Sequence, residues 1–95
     1  MTDIDTVLTV LSSHRRRYIL YYLEDHGSAK IQELARSEVE HTQMVHRDLP
    51  RLADVGYIMH DDERIEYDPC PLLERFLDVC KDIELGGGER SRTPP

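Results

Sequence analysis

One predicted helix presents four polar side chains on a single face: Thr42, Gln43, His46 and Arg47. The opposite face is apolar, because Val45, Leu49 and Leu52 recur at the i, i+4, i+7 spacing of a helix. A Gln side chain can form two hydrogen bonds with adenine, and an Arg side chain two with guanine, in the major groove of DNA. The polar face is therefore predicted to read base pairs, and an ordinary solvated helix face is the alternative.

Further side chains are candidates for contact with DNA: Arg15, Arg16, Arg17, Lys30, His41 and Arg51. The three consecutive arginines come near the start of a predicted helix, where guanidinium groups can hold phosphate. Ion pairing with acids of the same surface is the alternative, and we expect at least one of the three to be structural.

The histidines and cysteines do not converge on a metal site. His41 and His46 are five residues apart, which is about 140° around a helix. Cys70 and Cys80 also diverge, and Cys80 lies on an apolar face that favours the core. No glycine-rich phosphate loop follows a predicted strand, and no Ser-His-Asp order stands out. We therefore predict no metal, no cofactor, no catalytic residue and no enzymatic activity.

The elements that position these residues follow a simple order. Between Ser12 and Asp68 the apolar spacing predicts three helices and then a hairpin. The second and third helices are close enough for a helix-turn-helix, with 36–40 as the turn and Val39 directed into the core. The third helix is predicted to start at residue 41 or 42.

The hairpin joins 57–60 to 64–67 through the acidic turn Asp61-Asp62-Glu63. Its Tyr and Ile residues and its alternation favour strands, and 28–30 is short enough to be a minimal strand beside it.

Proline and glycine residues predict where the helices end. Ser12 or Ser13 offers an N-cap, and Gly27 and Gly56 are expected to end helices. Pro50 removes a backbone donor and clashes with the carbonyl four residues earlier, so the third helix should kink near 46–50 or restart there. The last helix is expected to begin with Asp68 as N-cap, followed by Pro69.

The net charge of −7 is concentrated outside the predicted reading helix. Residues 12–60 contain seven basic and seven acidic residues, whereas residues 61–95 contain five basic and ten acidic. Ten of the twelve basic residues are Arg, and an acidic, lysine-poor composition resembles that of proteins from halophilic archaea. At ~1 M salt the screening length is about 3 Å, so repulsion between an acidic protein and phosphate is weak. An acidic protein that never meets DNA is the alternative.

Three stretches resemble a known family: HRRRYILYYL at 14–23, IQELA at 31–35 and VHRDLPRLADVGYI at 45–58. Over about residues 12–68 the chain resembles winged helix-turn-helix transcription regulators, closest to the arsenical-repressor (ArsR) type. The last stretch is similar to that family's V-S-R-H-L-x-x-L-x-x-A-G-L-V phrase. The chain also resembles a small haloarchaeal winged-helix family that shares the Leu-Pro-x-Leu phrase.

The resemblance implies a winged helix that binds double-stranded DNA through its third helix, with Asp48 beside the DNA. DNA-binding wings in such proteins usually present Arg or Lys to the minor groove, whereas this wing tip is acidic. The wing therefore either points away from DNA or is not used on it.

The two end helices, 3–11 and 69–85, are more apolar than a 95-residue monomer is expected to need. We predict that they form a two-fold homodimer interface. Its residues are Ile4, Val7, Leu8, Leu11, Leu72, Leu73, Phe76, Leu77, Cys80 and Ile83. The alternative is that the two helices pack on each other within one chain.

The sequence thus predicts a mainly α protein with a small β-hairpin (α+β): a winged helix-turn-helix with flanking dimerisation helices. A single domain spans 1–85, with core 12–68, and 86–95 is a disordered tail. The expected function is sequence-specific DNA binding by a homodimeric repressor, which reads the major groove with the helix around 41–55. The alternative is a protein–protein interaction module, or a DNA mimic, that uses the acidic wing and does not bind DNA.

No apolar run approaches the ~20 residues of a membrane span. The acidic N-terminus, MTDIDTV, lacks the basic region of a signal peptide. We therefore expect a cytoplasmic protein with no membrane contact.

Overall fold

The computed structural model of the chain describes residues 4–86, so the predicted tail lies outside the described residues from 87 onwards. The elements are α1 Ile4–Leu11, α2 His14–His26, β1 Ser28–Lys30, α3 Ile31–Leu34, α4 Glu38–Gln43, α5 Leu49–Asp54, β2 Ile58–His60, β3 Arg64–Tyr67 and α6 Pro71–Lys81. A π-helical turn, Met44–Asp48, joins α4 to α5, and a second one, Asp82–Gly86, follows α6. The protein is mainly helical with a small antiparallel sheet, which confirms the predicted α+β class.

The sheet has three antiparallel strands in the order β1-β3-β2. Ile65 at its centre pairs with Ala29 on one side and His60 on the other, and Ile65 and Ala29 are both buried. One residue of each strand is buried in the core, namely Ala29, Ile58 and Ile65. The predicted pairing of 28–30 with the hairpin is confirmed.

Helix α2 is capped at both ends by the predicted residues. The Ser13 hydroxyl accepts from the Arg16 backbone N–H at 3.4 Å, and Gly27 donates its N–H to the Leu23 carbonyl at 2.6 Å. Gly27 and Gly56 both have a positive φ, of 80° and 84°, which favours glycine where a helix must end sharply. Both predicted ends are confirmed.

The predicted start of the last helix is wrong. Asp68 donates its backbone N–H to the Tyr57 carbonyl at 2.9 Å, so the hairpin still holds this residue. Helix α6 therefore begins at Pro71, after Cys70 as N-cap, and the first-turn proline is Pro71 rather than Pro69.

Helix α4, the π-helical turn and α5 form one unbroken rod over 38–54, which we call the long helix. The Leu49 backbone N–H bonds to the Met44 carbonyl, five residues back instead of four. Such a wider turn gives the Pro50 ring room beside the His46 carbonyl, which it would clash with in a regular helix. The disruption lies where Pro50 predicted it, and it takes the form of an inserted residue rather than a restart.

The long helix begins at Glu38, three or four residues earlier than predicted. The Ser37 hydroxyl accepts from the Glu40 backbone N–H at 3.1 Å and caps the helix at Glu38. Val39 therefore lies in the first helical turn instead of in a connecting loop. Its side chain is 66% exposed, so the prediction that it enters the core is wrong.

The end helices α1 and α6 pack against each other and against α2 within one chain. The buried side chains of α1 are Val7, Val10 and Leu11, whereas Ile4 and Leu8 are exposed. The apolar stripe of α1 is thus rotated from the predicted one, since Val10 replaces Leu8 on the inner side. Across residues 4–86, no helix combines the length and the apolarity needed to cross a lipid bilayer.

Candidate nucleic-acid interface

The outer face of the long helix holds most of the predicted DNA contacts. His41, Thr42, His46, Arg47 and Arg51 are exposed. Gln43 is half-buried and lies at the border of this face. The helix therefore presents side chains of several hydrogen-bonding types along its solvent side.

The inner side of the long helix differs from the predicted stripe. Leu49 and Leu52 are buried as expected, but Val45 is only half-buried and Met44 takes the inner position before it. Asp48 is 3% exposed, so the expectation that it lies beside DNA is wrong. The inserted residue of the π-helical turn changes the phase of the helix here, which turns Asp48 inward.

An ion pair accounts for the buried carboxylate. Arg15 on α2 donates from Nε to Asp48 Oδ2 at 3.2 Å, and the Arg15 side chain is still 41% exposed. This bond ties α2 to the middle of the long helix. Arg15 is thus a structural residue that neutralises the one carboxylate on the central part of this helix.

The next two arginines bond to the carboxyl end of α1. Arg16 donates to the carbonyls of Thr9 and Val10, both at 2.9 Å, and Arg17 donates to the Leu11 carbonyl at 2.7 Å. A helix leaves its last four carbonyls without partners inside the helix, and cationic donors there also favour the helix dipole. These predicted phosphate contacts therefore stabilise a neighbouring helix.

Arg17 also reaches the π-helical turn after α6. Its guanidinium donates to both Glu84 oxygens, at 2.6 and 3.1 Å, and the Tyr21 hydroxyl donates to Glu84 Oε1 at 2.6 Å. These donors hold the pKa of Glu84 well below its ordinary value, at about 2. The network fastens the end of the α6 segment to α2.

Arg47 and Arg51 are in a different situation. Within residues 4–86, neither guanidinium forms a hydrogen bond or an ion pair. Burial lowers the pKa of Arg16, the nearby charge of Arg51 lowers it further, and the charge of Asp48 raises it. A concentration of positive charge therefore exists beside the long helix.

Lys30 and the acidic turn belong to the sheet. Lys30 is exposed on the edge strand β1, opposite Arg64. Asp61 Oδ1 accepts the backbone N–H groups of Glu63 and Arg64, both at 2.8 Å, and these bonds lower the pKa of Asp61. Asp61 thus shapes the tip of the hairpin, as Asp often does in tight turns.

The predicted dimer residues divide into three groups. Val7, Leu11, Leu73 and Leu77 are buried in the core of their own chain, so the prediction is corrected for these four: they have no surface left for a partner. Leu72, Phe76 and Cys80 are half-buried against that core, whereas Ile4, Leu8 and Ile83 are exposed. On α6 and the π-helical turn after it, two further exposed apolar residues, Val79 and Leu85, were not among the predicted interface residues.

The predicted absence of a metal site stays a prediction. Among the described residues, no group of three His, Cys, Asp or Glu side chains is placed to hold a metal ion, and Cys70 and Cys80 are both free thiols.

Comparison of the chain with protein-family models, with curated proteins and with solved structures found no match.

Proposed function

We propose that this chain is a winged helix-turn-helix transcription regulator that binds double-stranded DNA with the outer face of the long helix. The observation that supports this proposal most is the position of the acidic side chains. The chain contains 19 acidic residues, yet between residues 41 and 53 the long helix contains a single carboxylate, Asp48, and that one is buried. The exposed face there offers cationic and neutral polar groups to a phosphate-lined groove.

The proposed reading residues are Gln43, His46 and Arg47, with Thr42 beside them. An α-helix fits the major groove, where Arg pairs with guanine and Gln with adenine through two hydrogen bonds each. In the winged-helix interpretation α3 and the long helix form the helix-turn-helix, and β1, β2 and β3 form the wing. Lys30 and His41 flank this face in the proposal.

The hairpin tip stays away from DNA in this proposal. Asp62 and Glu63 are exposed at the tip, and a carboxylate beside a phosphate is unfavourable. A high intracellular salt concentration, as in a halophilic archaeon, would screen what repulsion remains.

A homodimer remains part of the proposal, with a narrower interface than the sequence predicted. Ile4 and Leu8 are exposed one turn apart on α1, and Val79 and Ile83 are exposed near the end of α6. A two-fold dimer through these residues would present two long helices to half-sites about one DNA turn apart. Occupying such a site in a promoter would make the protein a repressor.

The test is selection from a randomised duplex library with the purified full chain, over a potassium-salt series up to about molar concentration. The proposal predicts one enriched palindromic motif with half-sites about one turn apart. Gln43→Ala and Arg47→Ala should each weaken binding to that motif by about 1–3 kcal/mol and relax the preference at one base pair. Arg75→Ala is the matched control, because Arg75 is exposed on α6. No enrichment from a folded protein at any salt concentration would contradict the proposal.

The second candidate is an interaction module, or DNA mimic, that uses the hairpin tip. Asp62 and Glu63 favour it, because both are exposed, and the carboxylate that accepts the backbone N–H groups of the turn belongs to Asp61. This candidate predicts no enriched motif. It also predicts a basic protein partner whose binding is lost in Asp62→Asn/Glu63→Gln and kept in the matched variant Glu66→Gln.

A further inference from the structure

A cleft lies between α1 and the carboxyl half of the long helix. Thr6 and Thr9 line the α1 side, and Arg47, Arg51 and Asp54 line the other. Its volume is about 510 Å³, which is far more than one small ion fills. The cleft is continuous with the reading face, because Arg47 belongs to both.

The charge around the cleft is positive, although the whole chain is acidic. Arg47 and Arg51 line it, and Arg16 donates to the carbonyls of Thr9 and Val10, which also line it. Among the described residues, Asp54 is the one carboxylate in the lining, and the nearby Asp48 is already paired with Arg15. The carbonyls at the end of α1, which would repel an anion, already accept hydrogen bonds from Arg16.

We propose that this cleft binds a phosphate group between the Arg47 and Arg51 guanidiniums. A guanidinium presents N–H donors in a planar fork that matches the oxygens of phosphate. Arg47 and Arg51 are four residues apart and so lie on one side of α5 and the turn before it, where both can approach the same anion. Neither has another partner within residues 4–86.

Two sources could supply the phosphate: a phosphodiester of the DNA backbone, or a free phosphoanion. The size of the cleft favours a phosphate that belongs to a longer chain. With DNA as the source, the inference rests on the proposed function: Arg51 donates to the backbone phosphate, whereas Arg47, at the border between the cleft and the reading face, reads a base and only adds its positive charge beside that phosphate. With a free phosphoanion as the source, it does not depend on DNA binding.

The first experiment titrates inorganic phosphate into the full chain and follows backbone amide and arginine Nε–H signals by NMR, against chloride at equal ionic strength. We expect saturable shifts at Thr9, Val10, Arg47 and Arg51. They should disappear in Arg47→Gln/Arg51→Gln and persist in the matched control Arg75→Gln, which removes an exposed arginine from α6.

The second experiment measures the salt dependence of binding to a duplex of arbitrary sequence. If Arg51 contacts a backbone phosphate, Arg51→Gln should reduce the slope of log K against log salt by about 0.9, and it should weaken all sequences by the same factor. Arg75→Gln should leave the slope unchanged. This readout needs no sequence preference, so its result stands apart from that of the library selection.

The two readouts decide between the outcomes. A changed slope in Arg51→Gln alone supports a DNA phosphodiester in the cleft. Saturable phosphate shifts together with an unchanged slope support a free phosphoanion. Saturable phosphate shifts without any duplex binding also support a free phosphoanion, and this result would refute the proposed function but not the phosphate site. The inference is overturned if phosphate and chloride give the same shifts and, in addition, the protein binds no duplex, or the slope is unchanged in Arg51→Gln, or the slope changes equally in Arg75→Gln.

Discussion

Two groups of arginines surround the long helix, and they differ in what their guanidiniums contact. Arg15, Arg16 and Arg17 on α2 all bond to the protein itself, namely to Asp48, to the end of α1 and to Glu84. Arg47 and Arg51 form no such bond within residues 4–86. From the sequence alone, the three consecutive arginines are a more obvious phosphate site than Arg47 and Arg51. An arginine that lies beside a helix end or a buried carboxylate therefore bonds to the protein itself, and only arginines away from such groups remain available for a ligand.

Arg15→Ala should have the largest effect on stability. It leaves the Asp48 carboxylate buried without its cation, which we expect to lower the free energy of unfolding by about 2–3 kcal/mol. The value lies below the range for fully buried pairs because Arg15 is 41% exposed. Asp48→Asn should cost only about 1 kcal/mol, since water can solvate the remaining Arg15 guanidinium. Urea unfolding measures the loss of unfolding free energy in both variants. A loss in Asp48→Asn that equals or exceeds the loss in Arg15→Ala would contradict the structural role of Arg15.

The Arg17 and Glu84 contact should appear as a pH dependence of stability. The pKa of Glu84 is about 2 in the folded chain, below its ordinary value of 4.5. A depressed pKa contributes stability above pH 4.5, and this contribution is lost as the pH falls from 4.5 towards 2. We expect a loss of about 1–2 kcal/mol, because solvent partly screens this contact at the surface.

The measurement is the difference in unfolding free energy between wild type and Glu84→Gln from pH 7 to pH 2. Asp25 and Asp61, whose pKa values are also lowered, are present in both proteins and cancel. Glu66→Gln is the matched control on an exposed strand position. A difference that stays constant over this pH range would show that Glu84 is not held by Arg17.

Arg47→Gln and Arg51→Gln should have the smallest effect on stability, within about 0.5 kcal/mol, because no described contact is lost. Thermal unfolding of each variant and of wild type measures this change in stability. A loss above about 1 kcal/mol would place these two arginines with the structural group and remove the difference between the two groups.

Much of the fold follows from local patterns. The hairpin, its pairing with 28–30, and the caps at Ser13, Gly27 and Gly56 follow from alternation and from residue types that favour turns. These features depend on neighbours in sequence, so the sequence is sufficient to predict them.

The site was predicted less well, because its geometry depends on packing between distant residues. Pro50 indicated a disruption, but not that a π-helical turn would rotate Asp48 inward. Arg15 and Asp48 are 33 residues apart, and no local pattern links them. The cleft needs α1 beside α5, and the spacing of Thr6 and Thr9 indicates only that they share one side of a helix.

The different roles of the two groups of arginines are tested by comparing Arg15→Ala and Arg47→Ala in two assays: thermal unfolding, and binding to the duplex selected by wild type. We predict that Arg47→Ala unfolds like wild type and binds at least about fivefold more weakly, because it loses a contact worth 1 kcal/mol or more. Arg15→Ala should unfold at a clearly lower temperature and, where it is still folded, bind like wild type. Wild-type affinity in Arg47→Ala, or a loss of affinity in folded Arg15→Ala as large as that in Arg47→Ala, would show that the two arginines do not differ in this way.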